Sequence, residues 1–298
     1  MKKTDDKSFL GGLGVALAYV MWGLLTIFWN LLSEVDSVYI LSQRIIWSMV
    51  FMGIYMLILG QWGEIKAVFK NRKDLLICFV CGVLVTINWG VYIYAVNSSH
   101  VLDASLGYFI EPVMVGAIGL IAFKEKPSAL EKITYILAFA ALIFIIVRVG
   151  TFPTLSLVIA GSFAIYGAVK KNLKISAQAS LFMETLCMTP IALIYMIIAE
   201  KNGSGALGVL DGAWLLLLPA CGIVTSIPLL LFNMGVKKIP YYVSGILMYI
   251  NPTLQFIMGL FYFHEEMDRN RLIAFIIIWI GVAFTIFDRL RQAAKQKA

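Results

Sequence analysis

Few side chains in this sequence can do chemistry in an apolar setting, and they recur at regular spacing. Glu111 stands immediately before Pro112, and Asn251 immediately before Pro252, one constant offset further along the chain. Tyr241, Ser244, Met248, Asn251 and Gln255 follow a 3, 4, 3, 4 spacing and so share one helix face. Ala104, Tyr108, Glu111 and Val115 make the matching face in the first half of the sequence. Asn88 and Tyr92 on one neighbouring segment, and Thr225, Ser226 and Asn233 on another, add further hydroxyls and amides. One carboxylate among amides and hydroxyls is the chemistry of holding a polar solute. Each proline removes a helix hydrogen bond and frees the carbonyl four residues back, Tyr108 or Met248. Arg44 and Glu184, separated by the same offset, form a second pair suited to gating or coupling, with Trp47 one turn from Arg44 for a cation–π contact.

The elements that position these groups must lie in lipid. The chain has 298 residues, of which 61% are hydrophobic and only 14% charged, with a mean hydropathy of +0.88. Soluble domains run to about 45–50% apolar and about 25% charged residues. The apolar residues fall in blocks long enough to cross a hydrocarbon core of about 30 Å. Ten spans are expected: Phe9–Leu32, Val38–Gly60, Asp74–Val96, Val101–Phe123, Ala129–Val147, Phe152–Val169, Ser176–Ala199, Gly212–Val236, Tyr241–Phe263 and Arg271–Asp288. They leave no room for a soluble domain. Helices are the expected form, because an unpaired backbone group in lipid costs several kcal/mol and no barrel alternation is present. The first block is too long for a signal peptide and lacks a cleavage site, so it should remain as a span.

Charge placement sets the orientation. Of the 24 Lys and Arg residues, nineteen fall on one set of flanks and loops, and four (Arg148, Lys201, Arg269 and Arg271) on the other. By the positive-inside rule both chain ends should be cytoplasmic, in a multi-pass protein of the cell membrane in contact with its lipids. The net charge of +7 is then a topology signal, and nucleic acid is not an expected partner. The four cysteines, Cys78, Cys81, Cys187 and Cys221, lie inside apolar blocks as packing residues, so neither a metal nor a cofactor is expected. His100, Asp103, His264, Glu265 and Glu266 fall at the outer ends of spans, where solvated loop residues are expected.

The offset between the two motif sets is general. It aligns Ile110, Pro112, Gly119, Leu120 and Ile133 with Ile250, Pro252, Gly259, Leu260 and Ile273, and Ile54-Tyr55-Met56 with Ile194-Tyr195-Met196. The chain therefore divides into residues 1–150 and 151–298, each of five spans. Five is odd, so the second copy should be inverted relative to the first. Inverted repeats are a recurring transporter architecture, because they allow two mirror-related states of similar energy. Glu111, ten residues into its span, should sit about 15 Å deep, where a charged carboxylate costs at least about 2.5–3.5 kcal/mol. It should therefore be protonated, paired or facing water, which suggests proton coupling. Small residues at Gly11, Gly12, Gly14, Gly116 and Gly119 should let helices approach closely.

Four stretches in order, Gln43–Ser48, Asn88–Tyr92, Ala104–Pro112 and Tyr249–Phe256, resemble RarD proteins, which are EamA-type permeases of the drug/metabolite transporter (DMT) superfamily. The likeness runs from Gly11 to Asp288. It implies an all-α polytopic membrane protein of ten helices in two inverted EamA-like repeats, with spans three, four, eight and nine lining a central cavity. It also implies transport, with a family name linked to chloramphenicol sensitivity. Where that motif has Asn, this chain has Glu111.

The expected function is thus an integral membrane permease, exporting a small metabolite or drug-like solute by alternating access. A lipid or lipid-linked-sugar flippase is the alternative. Enzymes fit less well. A membrane serine protease needs a histidine at depth, and both histidines lie outside. An aspartyl protease needs facing intramembrane Asp residues, and a prenyl transferase needs Asp-rich motifs; neither is present.

Overall fold

Local signals start and stop the helices. Asp36 caps α2 (Ser37–Ile58) by accepting from the backbone N–H groups of Val38 and Tyr39 at 3.1 and 2.9 Å. Asn71 does the same for α4 (Arg72–Asn97). Ser128 and Glu131 form a reciprocal capping box on α6 (Ala129–Val149), which Gly150 ends with a φ of +73°. The remaining long helices are α1 (Lys2–Asn30), α5 (Val101–Ala122), α7 (Thr154–Lys170), α8 (Ala177–Lys201), α9 (Leu217–Val236), α10 (Ile250–Phe261) and α11 (Arg269–Lys297). The computed structural model describes residues 2–122, 124, 127–150, 152–170, 173–236, 238–239 and 247–297.

Among the described residues the fold is helical, and eight helices are long and apolar enough to cross a membrane. Two shorter apolar helices, α7 and α10, occupy the places expected for the sixth and ninth spans. The 17 residues of α7 reach about 25 Å, the lower limit for crossing. Ser244 and Tyr241, read from the sequence as lining residues of the ninth span, lie outside the described residues. Three details depart from expectation. A short amphipathic helix, α3 (Trp62–Lys70), follows α2 and buries Ile65 and Val68 while exposing its lysines. The expected start of the eighth span, Gly212–Leu216, is a 3-10 turn before α9. Pro252 falls in the first turn of α10, where a missing N–H costs nothing, whereas α5 runs on through Pro112.

Helix contacts link distant parts of the chain. α2 packs on α8 and α9, α4 on α7 and α8, α1 on α9 and α10, α5 on α7 and α10, and α6 on α11. Two glycines related by the repeat offset make close approaches. A Cβ at Gly82 would lie 2.7 Å from the Glu184 carbonyl oxygen, and one at Gly222 would strike the Trp47 backbone. Hydroxyls tie helices together in the interior: Ser105 donates to the Pro252 carbonyl at 2.8 Å, and Thr134 to that of Gly281 at 2.8 Å. Ile54, Leu57, Ile121, Ile136, Ile194 and Phe287 point outward. Such a surface suits contact with hydrocarbon rather than water.

Candidate functional site

Five helices converge on one side chain. Arg44, two turns into α2, is only 4% exposed. Its guanidinium carbon lies 3.9 Å from the ring centroid of Trp89 on α4 and 4.9 Å from that of Trp29 on α1. These indoles supply a cation–π cradle, worth about 2 kcal/mol or more when water is excluded. The phenols of Tyr92 and Tyr108 and the thiol of Cys221 on α9 lie within electrostatic range of the charge. The rings of Tyr92 and Tyr108 meet edge to face, 5.8 Å apart. Among the described residues, Arg44 has no carboxylate within 4.0 Å, and its Nε and Nη1 have no hydrogen-bond partner. The hydroxyls of Tyr92 and Ser48 and the indole N–H of Trp29 are likewise unpartnered.

One turn below Tyr108, Glu111 is buried on the same helix, 8% exposed, with no ion-pair partner among the described residues. Tyr108 lies within electrostatic range of both Glu111 and Arg44.

Other expected residues go elsewhere. Asn88 turns away and donates to the Ile159 carbonyl at 2.8 Å and to Ser162 at 3.3 Å, joining α4 to α7. Gln255, 1% exposed, donates to the Asn251 side-chain oxygen at 2.8 Å. Asn233 is half-buried, and its amide nitrogen has no partner among the described residues. Trp47 is not the cation–π partner of Arg44; its indole donates to Gln43 at 2.9 Å because its own helix turns it toward α9. Glu184 is fully buried and holds Lys170 at 2.9 Å, with Tyr166 at 3.1 Å and Ser180 donating to it.

Sequence reasoning missed Trp29 and Trp89 as the cradle. The available signal was the lone Arg44 inside an apolar block, which requires aromatic or acidic neighbours. It also missed two clasps between α2 and α8: Tyr39 donates to Glu200, and Tyr195 to Asp36 at 2.7 Å. Glu265, expected to be a solvated loop residue, instead caps α5 from afar, accepting from the backbone N–H groups of Val101 and Leu102. Burial lifts its carboxyl above the usual range; Asp103 adds to this, while the two N–H groups and His100 pull it down. Nearby, Arg271 approaches Asp103 at 4.0 Å beside a pocket of about 240 Å³ that His100 also lines.

Comparison with known proteins places these features. The model of the EamA-like transporter family matches the chain twice, over residues 9–147 and 153–287. Protein RarD of Streptomyces exfoliatus is 37% identical over 94% of this chain and 89% of its own length. The uncharacterized transporter YojE of Bacillus subtilis is 37% identical over 97% of both chains. A solved crystal structure shares the fold with a TM-score of 0.61 at 14% identity, covering 96% of this chain and 99% of that one.

Proposed function

The chain belongs to the EamA-like transporter family of the drug/metabolite transporter superfamily, and from that premise we propose that it exports a small metabolite or drug-like solute by alternating access. Two five-helix repeats, residues 1–150 and 151–298, sit inverted to one another and rock about the solute. The observation that carries this reading is the exchange of helix partners between the halves. With α1, α2, α4, α5 and α6 matched in order to α7 through α11, the main contacts between the halves pair up. α2 on α9 answers α8 on α4, α4 on α7 answers α9 on α1, and α5 on α7 answers α10 on α1. Gly82 and Gly222 obey the same exchange at the backbone level. Such a framework gives the states open to either side similar energies.

In this reading α4, α5, α9 and α10 line the path, and the one-sided placement of Lys and Arg holds both chain ends in the cytoplasm. Glu111 is the coupling group: taking up a proton removes a charge from a dry site, and releasing it restores that charge when water enters. Tyr108, Asn251 and Gln255 face the same region as solute contacts, while Arg44 and Glu184 mark the two ends of the path.

The test is comparison of the small molecules retained by cells with and without the protein, followed by flux of each candidate in sealed proteoliposomes. Outward flux of a soluble compound is expected. Lipid headgroup translocation without soluble flux in the same vesicles would move the assignment to a flippase.

A further inference from the structure

We propose that the solute carries an oxyanion, such as a carboxylate or sulfonate, and that Arg44 binds it where α1, α2, α4 and α5 meet. This deepens the permease reading and rests on it. The argument begins with cost. A guanidinium in a dry interior is retained only when something compensates its lost hydration, ordinarily a carboxylate. Arg44 has its guanidinium carbon over the rings of Trp29 and Trp89, while Nε and Nη1 remain without partners among the described residues. Those unpartnered N–H groups are left for a ligand, and the N–H groups of a guanidinium match the oxygens of a planar anion.

The surroundings have one polarity. The unpartnered neighbours, the Tyr92 hydroxyl, the Trp29 indole N–H and the Ser48 hydroxyl one turn along α2, can all donate. The buried carboxyl of Glu111 does not neutralise Arg44, which has no carboxylate within 4.0 Å among the described residues. By contrast Glu184, the repeat mate of Arg44, already has its cation in Lys170. A set of donors around a cation without a carboxylate is complementary to an anion, and the aromatic walls of Tyr92 and Tyr108 suit a flat or apolar body behind it.

The experiment is a titration of the purified protein in nanodiscs of uncharged lipid, read by tryptophan fluorescence, since two indoles flank the site. Benzoate and benzenesulfonate are the probes, with benzamide as the uncharged control. Saturable signals with both anions and none with benzamide are expected. Arg44→Gln should weaken anion binding at least tenfold, and Arg44→Lys, which keeps charge but loses the fork, should fall between. Cooperative unfolding of both variants establishes that they are folded. Equal binding of benzamide, undiminished binding by Arg44→Gln, or no response up to about 50 mM, beyond the range of weak millimolar ligands, overturns the inference. So does displacement of the probes by phosphatidylglycerol in the disc, which would make the anion a lipid headgroup. Vesicle flux separates the two readings. Anion binding without any flux removes the permease and leaves the site, whereas flux of solutes lacking an anionic group, unchanged in Arg44→Gln, removes the site and leaves the permease.

Discussion

Lys170 closes on Glu184 at 2.9 Å, joining α7 to α8 with the carboxylate wholly buried and the ammonium still about a quarter exposed. That asymmetry predicts unequal penalties. Lys170→Met strands the carboxylate and should cost about 3 kcal/mol or more, as for broken buried pairs. Glu184→Gln leaves a cation that reaches water, and should cost about half as much. The double variant should recover part of the loss. Chemical unfolding in mild detergent measures all three, and additive losses in the double variant would contradict a direct pair.

Arg44 leads to the opposite expectation. Under the anion-site proposal, its burial among rings, without a carboxylate among the described residues, is a stability cost kept for binding. Arg44→Met should leave stability unchanged or raise it by about 1–4 kcal/mol, as when buried ions give way to apolar side chains. A loss above about 2 kcal/mol by the same assay would show that the charge is structural.

Glu265 gives a pH test. Its folded-state carboxyl is held above the usual range, chiefly by burial. The stability this shift contributes is present below the ordinary Glu pKa of about 4.3 and is lost as pH rises through the raised folded value. The stability advantage of the native chain over Glu265→Gln should therefore be greater near pH 4 than near pH 8. Unfolding at both values reads it; a constant gap, or one that grows with pH, would show that capping of Val101 and Leu102 by the carboxylate dominates instead. Glu265→Ala should cost about 0.5–2 kcal/mol through the lost cap.

Two glycines should respond in opposite directions to the same substitution. Gly222→Ala drives a methyl into the Trp47 backbone, which cannot step aside, and should cost about 1–3 kcal/mol. Gly167→Ala on α7 meets nothing within 4 Å and should stabilise by about 0.5–1 kcal/mol through helix propensity. Thermal unfolding of the pair checks the helix packing directly.

Glu111→Gln should abolish the pH dependence of flux in proteoliposomes while leaving the fold intact, because amide and acid have the same shape and the carboxyl has no ion-pair partner among the described residues. Flux of equal rate and equal pH sensitivity would remove Glu111 from coupling.

How much of this was legible in the sequence depends on the range of the interaction. Asp36, Asn71 and Ser128 act on N–H groups close by in the chain, so the starts of α2, α4 and α6 could be read locally. Lipid-spanning length is also local, and most spans fall within a few residues of expectation. α3 escaped notice because it is only nine residues long and buries just Ile65 and Val68. The site was half legible. Arg44 and Glu111 stand out as charges in apolar blocks, but which aromatic would face Arg44 depends on how α1, α2 and α4 are rotated. Trp47 is near in sequence and points elsewhere, while Trp89 belongs to another helix and is in contact. Glu265 reaching Val101 is the same lesson at longer range.

The helix pair α2 and α8 is fastened differently along its length. At one extremity the fasteners are two phenol–carboxylate bonds, Tyr39 to Glu200 and Tyr195 to Asp36. At the other, Met52, Met56 and Phe182 lie in a shared apolar cluster. Water can replace the first kind at a net cost of about 1.5–3 kcal/mol per bond, but it offers nothing to the second. Any splaying of the pair must then start at the tyrosines and fade toward the methionines, so that one extremity behaves as a buckle and the other as a spine.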